Sequence, residues 1–140
     1  MRAQLDKFGR SSLHYAANDG DASEVARLIA AGEEVNLPDR GGCTPLHFAA
    51  QKSSAAATRV LIEAGASIDV RDTDGNTPLF RAVFTSEGNG DVIGLLRNAG
   101  ADPFLQNNHG VSPLSLAHLI ENYNVAQFFS DLPQPGGHAG

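Results

Sequence analysis

The 140-residue chain holds one cysteine, Cys43, so no disulfide can form within it. An unpaired thiol suits a reducing compartment better than an oxidising one. No apolar run approaches the roughly 20 residues that a membrane-spanning helix needs, and the opening MRAQLDKFGR lacks the apolar stretch of a secretory signal. A cytoplasmic protein with no membrane partner is expected. Basic residues are scarce, 10 against 16 acidic, and none follows Arg97. The net charge of -6 opposes nucleic-acid binding, which leans on clustered Lys and Arg. The five histidines and the cysteine show neither His-x-x-x-His nor Cys-x-x-Cys spacing, so a zinc site has nothing to build on. No glycine-rich loop carries the lysine of a phosphate cradle, and Cys43 lacks a partner signature for nucleophilic catalysis. No catalytic residue, metal or cofactor is expected, and the chain reads as a non-enzyme.

What the sequence does contain is a period. Gly9-Arg-Ser-Ser-Leu-His returns as Gly42-Cys-Thr-Pro-Leu-His, Gly75-Asn-Thr-Pro-Leu-Phe and Gly110-Val-Ser-Pro-Leu-Ser, at spacings of 33, 33 and 35 residues. Three residues before each glycine stands an acid or amide: Asp6, Asp39, Asp72 and Asn107. A second marker, Ala31-Gly32, Ala64-Gly65 and Ala99-Gly100, keeps the same phase. Self-similarity at this period signals an array of stacked units.

The residues within one period predict its shape. Thr44 is a natural helix N-cap, and Pro45 suits the first helical position, where its missing N–H costs nothing. Leu46, Ala49 and Ala50 give a narrow apolar face whose small residues admit a close neighbour. Second helices are predicted to start at Asp21, Ser54, Asn89 and Asn122, with Asp21 and Glu24 forming a capping box. Their apolar faces are Val25, Leu28 and Ile29, then Val60, Leu61 and Ile62, then Val92, Ile93, Leu95 and Leu96, then Val125, Phe128 and Phe129. Gly32, Gly65 and Gly100 close the first three. The segments Val35-Asn36-Leu37 and Ile68-Asp69-Val70 are expected to be extended. Gly94 inside a second helix costs roughly 1 kcal/mol relative to alanine.

Helix, turn, helix and a finger at 33-residue spacing, opened by Thr-Pro-Leu-His, resembles the ankyrin-repeat family. The resemblance implies an all-α solenoid of four helix-turn-helix repeats with β-hairpin-like fingers. The repeats fall at about 6–38, 39–71, 72–106 and 107–132 within a domain of residues 1–132. Residues 133–140, rich in Pro and Gly, are expected to be a disordered tail, and Pro133 stops the last helix. His14 and His47 occupy the family's structural histidine position, where the ring links a Ser or Thr hydroxyl to the adjoining repeat. Phe80 and Ser115 replace that histidine, so Phe80 is expected to remove a polar link between repeats. Ser12 replaces the first proline. Two extra residues lie between Thr85 and Asn89.

In this family partners lie in the concave groove of finger tips and first helices. Carried over by register, that implies a protein-interaction module with contacts at Arg40, Lys52, Arg71, Asp74, Asn76, Thr85, Asn108 and His109. Lys7, Phe8, Arg10, Gly41, Cys43, Gln51, Thr73, Gln106, Val111, Leu119 and Ile120 line the same face. Two residues break the pattern. Arg81 stands where other repeats place Tyr15, Phe48 and Leu116; it reads as a binding anchor or as a stem packed on apolar surface with its guanidinium in water. Phe84 is apolar where solvent is usual. The longer loop at Ser86-Glu87-Gly88 adds Glu87 to the candidates. The partner is expected to be a protein, bound by a monomer. Resemblance to small stand-alone bacterial ankyrin proteins adds two alternatives. One is an immunity-type inhibitor of a toxin, whose basic groove would complement an acidic protein; the other is a scaffold or regulator joining two proteins.

Overall fold

The computed structural model describes residues 5–133. Seven α-helices follow one another among them: α1 Ser12–Asn18, α2 Ala22–Ala30, α3 Pro45–Gln51, α4 Ala55–Glu63, α5 Pro78–Thr85, α6 Asp91–Asn98 and α7 Pro113–Leu119. A 3-10 helix, Val125–Phe129, completes the order. The first helix of each pair starts where a hydroxyl residue in extended backbone precedes it, at Ser11, Thr44, Thr77 and Ser112. Proline then occupies the opening turn of α3, α5 and α7. Thr77 Oγ1 accepts from the Phe80 N–H at 3.2 Å, relieving a donor that has no partner within the helix.

Helices α1, α3, α5 and α7 pack side by side, and α2, α4 and α6 form a second row behind them. The interior is a repeated set: Leu13, Leu46, Leu79 and Leu114 are at most 2% exposed. Alanines Ala17, Ala49, Ala50, Ala82 and Ala117 let the neighbouring first helices approach, while Leu28, Leu61 and Leu96 fill from the second row. Each fully buried leucine contributes roughly 1.5–3 kcal/mol relative to an exposed one.

The second helices begin as expected at Asp21 and Ser54, whose side chains accept from Glu24 and Ala57 N–H groups, both at 3.1 Å. The third starts one residue later than expected, capped by Gly90, while Asn89 Oδ1 takes the Asp91 N–H at 2.9 Å. Asn122 starts no helix. The short 3-10 helix after Asn124 replaces the expected fourth second helix, its five residues giving little helical cooperativity.

The fingers contain no strand among the described residues. Val35 and Asn36 form a turn, and Ile68 and Asp69 a bend, instead of extended chain. Each finger closes on itself, Asp39 N–H donating to Cys43 O at 2.8 Å and Asp72 N–H to Asn76 O at 2.9 Å. Successive fingers are joined by Arg40 N–H to Phe8 O, Thr73 N–H to Gly41 O and Asn108 N–H to Asp74 O, at 2.8–2.9 Å. One such bond per joint does not make a ladder. Gly42 and Gly75, at φ of +78° and +82°, are required twice over. A Cβ on Gly42 would lie 3.0 Å from Asp72 Cα, and one on Gly75 2.9 Å from the Asn108 nitrogen. Pro133 is exposed; the rest of the expected tail, 134–140, lies outside the described residues.

The two histidines bridge neighbouring units as expected. His14 Nδ1 accepts from the Ser11 N–H at 3.0 Å, which leaves the hydrogen on Nε2, donated to Cys43 O at 3.1 Å. His47 repeats this, taking the Thr44 N–H at 3.1 Å and reaching Asn76 O at 2.9 Å. Both rings are buried. Phe80 supplies no such bridge, and the joint between α5 and α7 relies on its fingers, where Asn107 Nδ2 donates to Asn76 Oδ1 at 3.0 Å and Asn108 Nδ2 to Thr73 O at 2.8 Å. The far end is closed by Arg97, which pairs with both Asp131 oxygens at 2.8 and 2.9 Å, bonds Phe128 O at 2.9 Å and lies 5.3 Å from the Phe129 ring centre.

Two predictions follow from these packings. Burial holds His14 and His47 below the ordinary value of 6.5. Their surroundings are mixed in sign, Asp39 and Arg10 beside His14, and Arg81, Asp72 and Asp39 beside His47. The unfolded chain therefore binds more protons than the folded one below about pH 6.5. Stability contributed by the neutral rings is complete above that pH and lost on acidification, by at most about 1.4 kcal/mol per pH unit for each ring. Denaturant midpoints should fall between about pH 7 and pH 5.5, and a flat profile would refute the bridge. The second prediction contrasts two glycines. A Cβ on Gly90 would overlap the Phe128 ring, whereas one on Gly94 meets nothing within 4 Å. Gly90→Ala should destabilise by about 1–2 kcal/mol and Gly94→Ala should stabilise by about 0.5–1 kcal/mol, both read from thermal unfolding.

Candidate functional site

The candidate site is built on the fingers, and each finger is built on one side chain. Asp6 Oδ1 accepts from the Phe8 and Arg10 N–H groups, Asp39 Oδ1 from Gly41 and Cys43, Asp72 Oδ1 from Asp74 and Asn76, and Asn107 Oδ1 from His109 and Val111, all at 2.9–3.0 Å. Short Asp and Asn side chains suit this because they reach their own backbone two to four residues on. Stacking then buries the Asp39 and Asp72 carboxylates, to 3% and 1% exposure. A buried carboxylate needs a cation. Arg10 Nε reaches Asp39 Oδ2 at 3.1 Å, and Arg81 Nη2 reaches Asp72 Oδ2 at 2.8 Å. Burial alone would raise the Asp72 pKa, but the Arg81 guanidinium and the Asn76 N–H outweigh it and hold the carboxyl below its ordinary value. Asn107, being neutral, takes no arginine.

This geometry corrects the reading of Arg81 as a packed stem with its guanidinium in water. The guanidinium does not reach out into water; it turns inward to Asp72, to Cys43 Sγ at 3.1 Å and to Gln51 Oε1. Arg81 is a clamp between two helix pairs before it is a contact for anything else. Cys43 is correspondingly not a groove contact: it is 7% exposed, and burial pushes its thiol pKa up, with Arg81 opposing.

The other candidates divide by position. Arg40, Arg71, Asp74, Asn108 and His109 lie exposed along the finger row. Arg71 bonds Gln106 O, and the Asn108 amide is engaged with Thr73. Asn76 is part-buried and its side chain accepts from Asn107, so it too is structural first. Behind the fingers, Asn76, Arg81, Phe84 and Thr85 come together with Gln51 and Phe80 around a cleft of about 250 Å³. Lys52, Thr85 and Glu87 border a wider hollow of about 580 Å³ where α3 meets the loop after α5. A third, a notch of about 270 Å³ between α5 and α7, has Phe84, Glu87, Leu116, Leu119, Ile120 and Tyr123 in its wall.

Phe84 stands between the first cleft and the notch and is 69% exposed; Leu119 is 67% exposed. They hold the same register, six residues after Pro78 and Pro113, where α1 and α3 carry the exposed polar residues Asn18 and Gln51. Sequence reasoning singled out Phe84 but overlooked this pairing and Tyr123. Counting from each proline would have found the pair; the approach of Tyr123 depends on the irregular chain after α7.

Among the described residues no group of His, Cys, Asp or Glu is placed to hold a metal, and no helix is long and apolar enough to cross a membrane. The Arg81 clamp yields a prediction. Arg81→Ala leaves Asp72 buried without its cation and should cost about 2–3 kcal/mol. Adding Asp72→Asn, the amide that position 107 uses, should recover most of that loss in chemical denaturation; equal losses in the single and double variants would contradict the clamp.

Comparison with curated proteins returns no match. A family model, ankyrin repeats in three copies, matches residues 13–107, from α1 to the first residue of the finger that precedes α7. That span covers the bridging histidines, the Asp39 and Asp72 carboxylates and the helix pairs from α1 to α6 but for Ser12, and the chain belongs to the ankyrin-repeat family, whose repeats are general modules of protein–protein interaction.

Proposed function

We propose that this protein binds another protein, without catalysis, through the face formed by its finger tips and first helices. The observation that carries this reading is the pair Phe84 and Leu119, exposed at one register of neighbouring first helices. Isolated apolar residues on a surface are ordinary, but two large ones in adjacent, rigidly stacked units form a patch that burial under a partner would reward. Arg40, Lys52, Asp74 and His109, exposed along the same side, supply a polar surround of the kind that orients a bound protein.

Charge favours one particular role for such a binder. After Arg71 the chain has seven acidic and two basic residues, and the two basic ones, Arg81 and Arg97, are paired with Asp72 and Asp131. An acidic second half of the chain suits a basic partner, which supports an inhibitor of the immunity type over a neutral scaffold.

The test uses the pair itself and spares the clamp. Phe84→Ser with Leu119→Ser should leave the circular dichroism spectrum and unfolding midpoint unchanged. It should weaken binding of the protein captured from the source cells by about 2 kcal/mol or more in calorimetry. Undiminished affinity would reject this face.

A further inference from the structure

We propose that the notch between α5 and α7 receives a basic amphipathic segment of the partner protein, an apolar side chain entering between Phe84 and Leu119 and a lysine or arginine set against Glu87. The inference rests on the protein-binding reading above and specifies its occupant.

Three observations converge on it. First, the notch is small and mostly apolar, closed by Leu116, Ile120 and Tyr123 beneath the exposed Phe84 and Leu119. Its volume of about 270 Å³ falls below the roughly 300–1,000 Å³ of pockets for drug-sized ligands, which suits one or two inserted side chains better than a cofactor.

Second, the rim is built. The Ser86 hydroxyl donates to Val83 O at 3.1 Å, and the Asn89 N–H returns to Ser86 O at 2.9 Å, closing the inserted loop into a turn. Gly88, at φ +87°, sits so close to Tyr123 that a Cβ there would lie 3.2 Å from the ring. Between them Glu87 adopts φ +50°, a left-handed conformation that a residue with a side chain takes at a cost. The turn thus holds an exposed carboxylate over both the notch and the hollow beside it.

Third, the charge is one-sided here. Among the described residues Glu87 is the one charged side chain in the wall of the notch, Glu121 is exposed between the wall residues Ile120 and Asn122, and Lys52 borders only the adjacent hollow. A cation entering the notch meets Glu87 and the exposed Glu121, so a basic segment is drawn in and an acidic one repelled.

The test is selection of a random peptide library on the folded chain. Enriched peptides should combine an aromatic or aliphatic residue with Lys or Arg and should shift the amide resonances of Phe84 and Leu119. Leu119→Ser should reduce their affinity about tenfold or more. Glu87→Gln should reduce it severalfold at low salt and little at high salt. Peptides that bind the fingers and first helices but ignore both substitutions would overturn the notch while leaving the protein-binding face intact. Acidic or uncharged peptides insensitive to Glu87→Gln would overturn the basic occupant. Peptides that shift no residue of that face would count against both readings. A dimer of this chain that Leu119→Ser dissolves would assign the notch to a second copy instead.

Discussion

A pair of helices of seven to nine residues has too little apolar surface to stand alone, and everything else in this molecule follows from how neighbouring pairs share theirs. Leu13, Leu46, Leu79 and Leu114 are buried only because the next unit lies against them, and the alanines beside them permit that approach. The sharing fixes the distance between units, and the distance brings the fingers so close that Gly42 and Gly75 cannot carry a side chain. Stability in such an array is a sum of unit and joint terms, so a change at a joint matters more than its local contact suggests.

The same stacking creates an electrostatic obligation. A finger aspartate needs only one oxygen to organise its own turn; where the neighbour buries the second, as at Asp39 and Asp72, it must be satisfied from elsewhere, while Asp6 stays exposed. Four solutions appear in one chain: the Tyr15 hydroxyl at Asp6, Arg10 at Asp39, Arg81 at Asp72, and at Asn107 the loss of the charge altogether. Arg10 also lies over the Phe8 and Phe48 rings, 4.8 and 5.1 Å from their centres. The first joint is therefore screened by aromatic surface and the second by the side of a helix. Arginines that look available for recognition are in large part committed to holding the fold.

Much of the architecture was legible in residue order because each device is local. A hydroxyl before proline starts a helix, a glycine after alanine ends one, and an aspartate three residues before glycine folds a finger. His14 and His47 were assignable from register. The misreadings share one cause. Whether Arg81 points outward or toward Asp72 and Cys43, the latter 38 positions away, is decided by three-dimensional approach and leaves no mark in local pattern. The missing fourth second helix likewise leaves no local mark, since Asn122 is as good a cap residue as Asp21, and the shift from Asn89 to Gly90 follows from the inserted loop. For the candidate site, Phe84 and Leu119 could be read from their spacing to proline, while the role of Tyr123 against Gly88 could not.

The absence of an imidazole at Phe80 has a mechanical meaning. The first two joints are each pinned at their centre by a buried ring, whereas the last joint is hydrogen-bonded along its fingers and, on the far side, through Arg97 to Phe128 and Asp131, with apolar contact between α5 and α7 at its centre. The last unit is thus fastened at two edges and unpinned between them, and its centre is where local opening costs least. The notch lies between α5 and α7 at that unpinned joint, so a ligand seated there would act as a clasp and couple occupancy to the order of the last described unit.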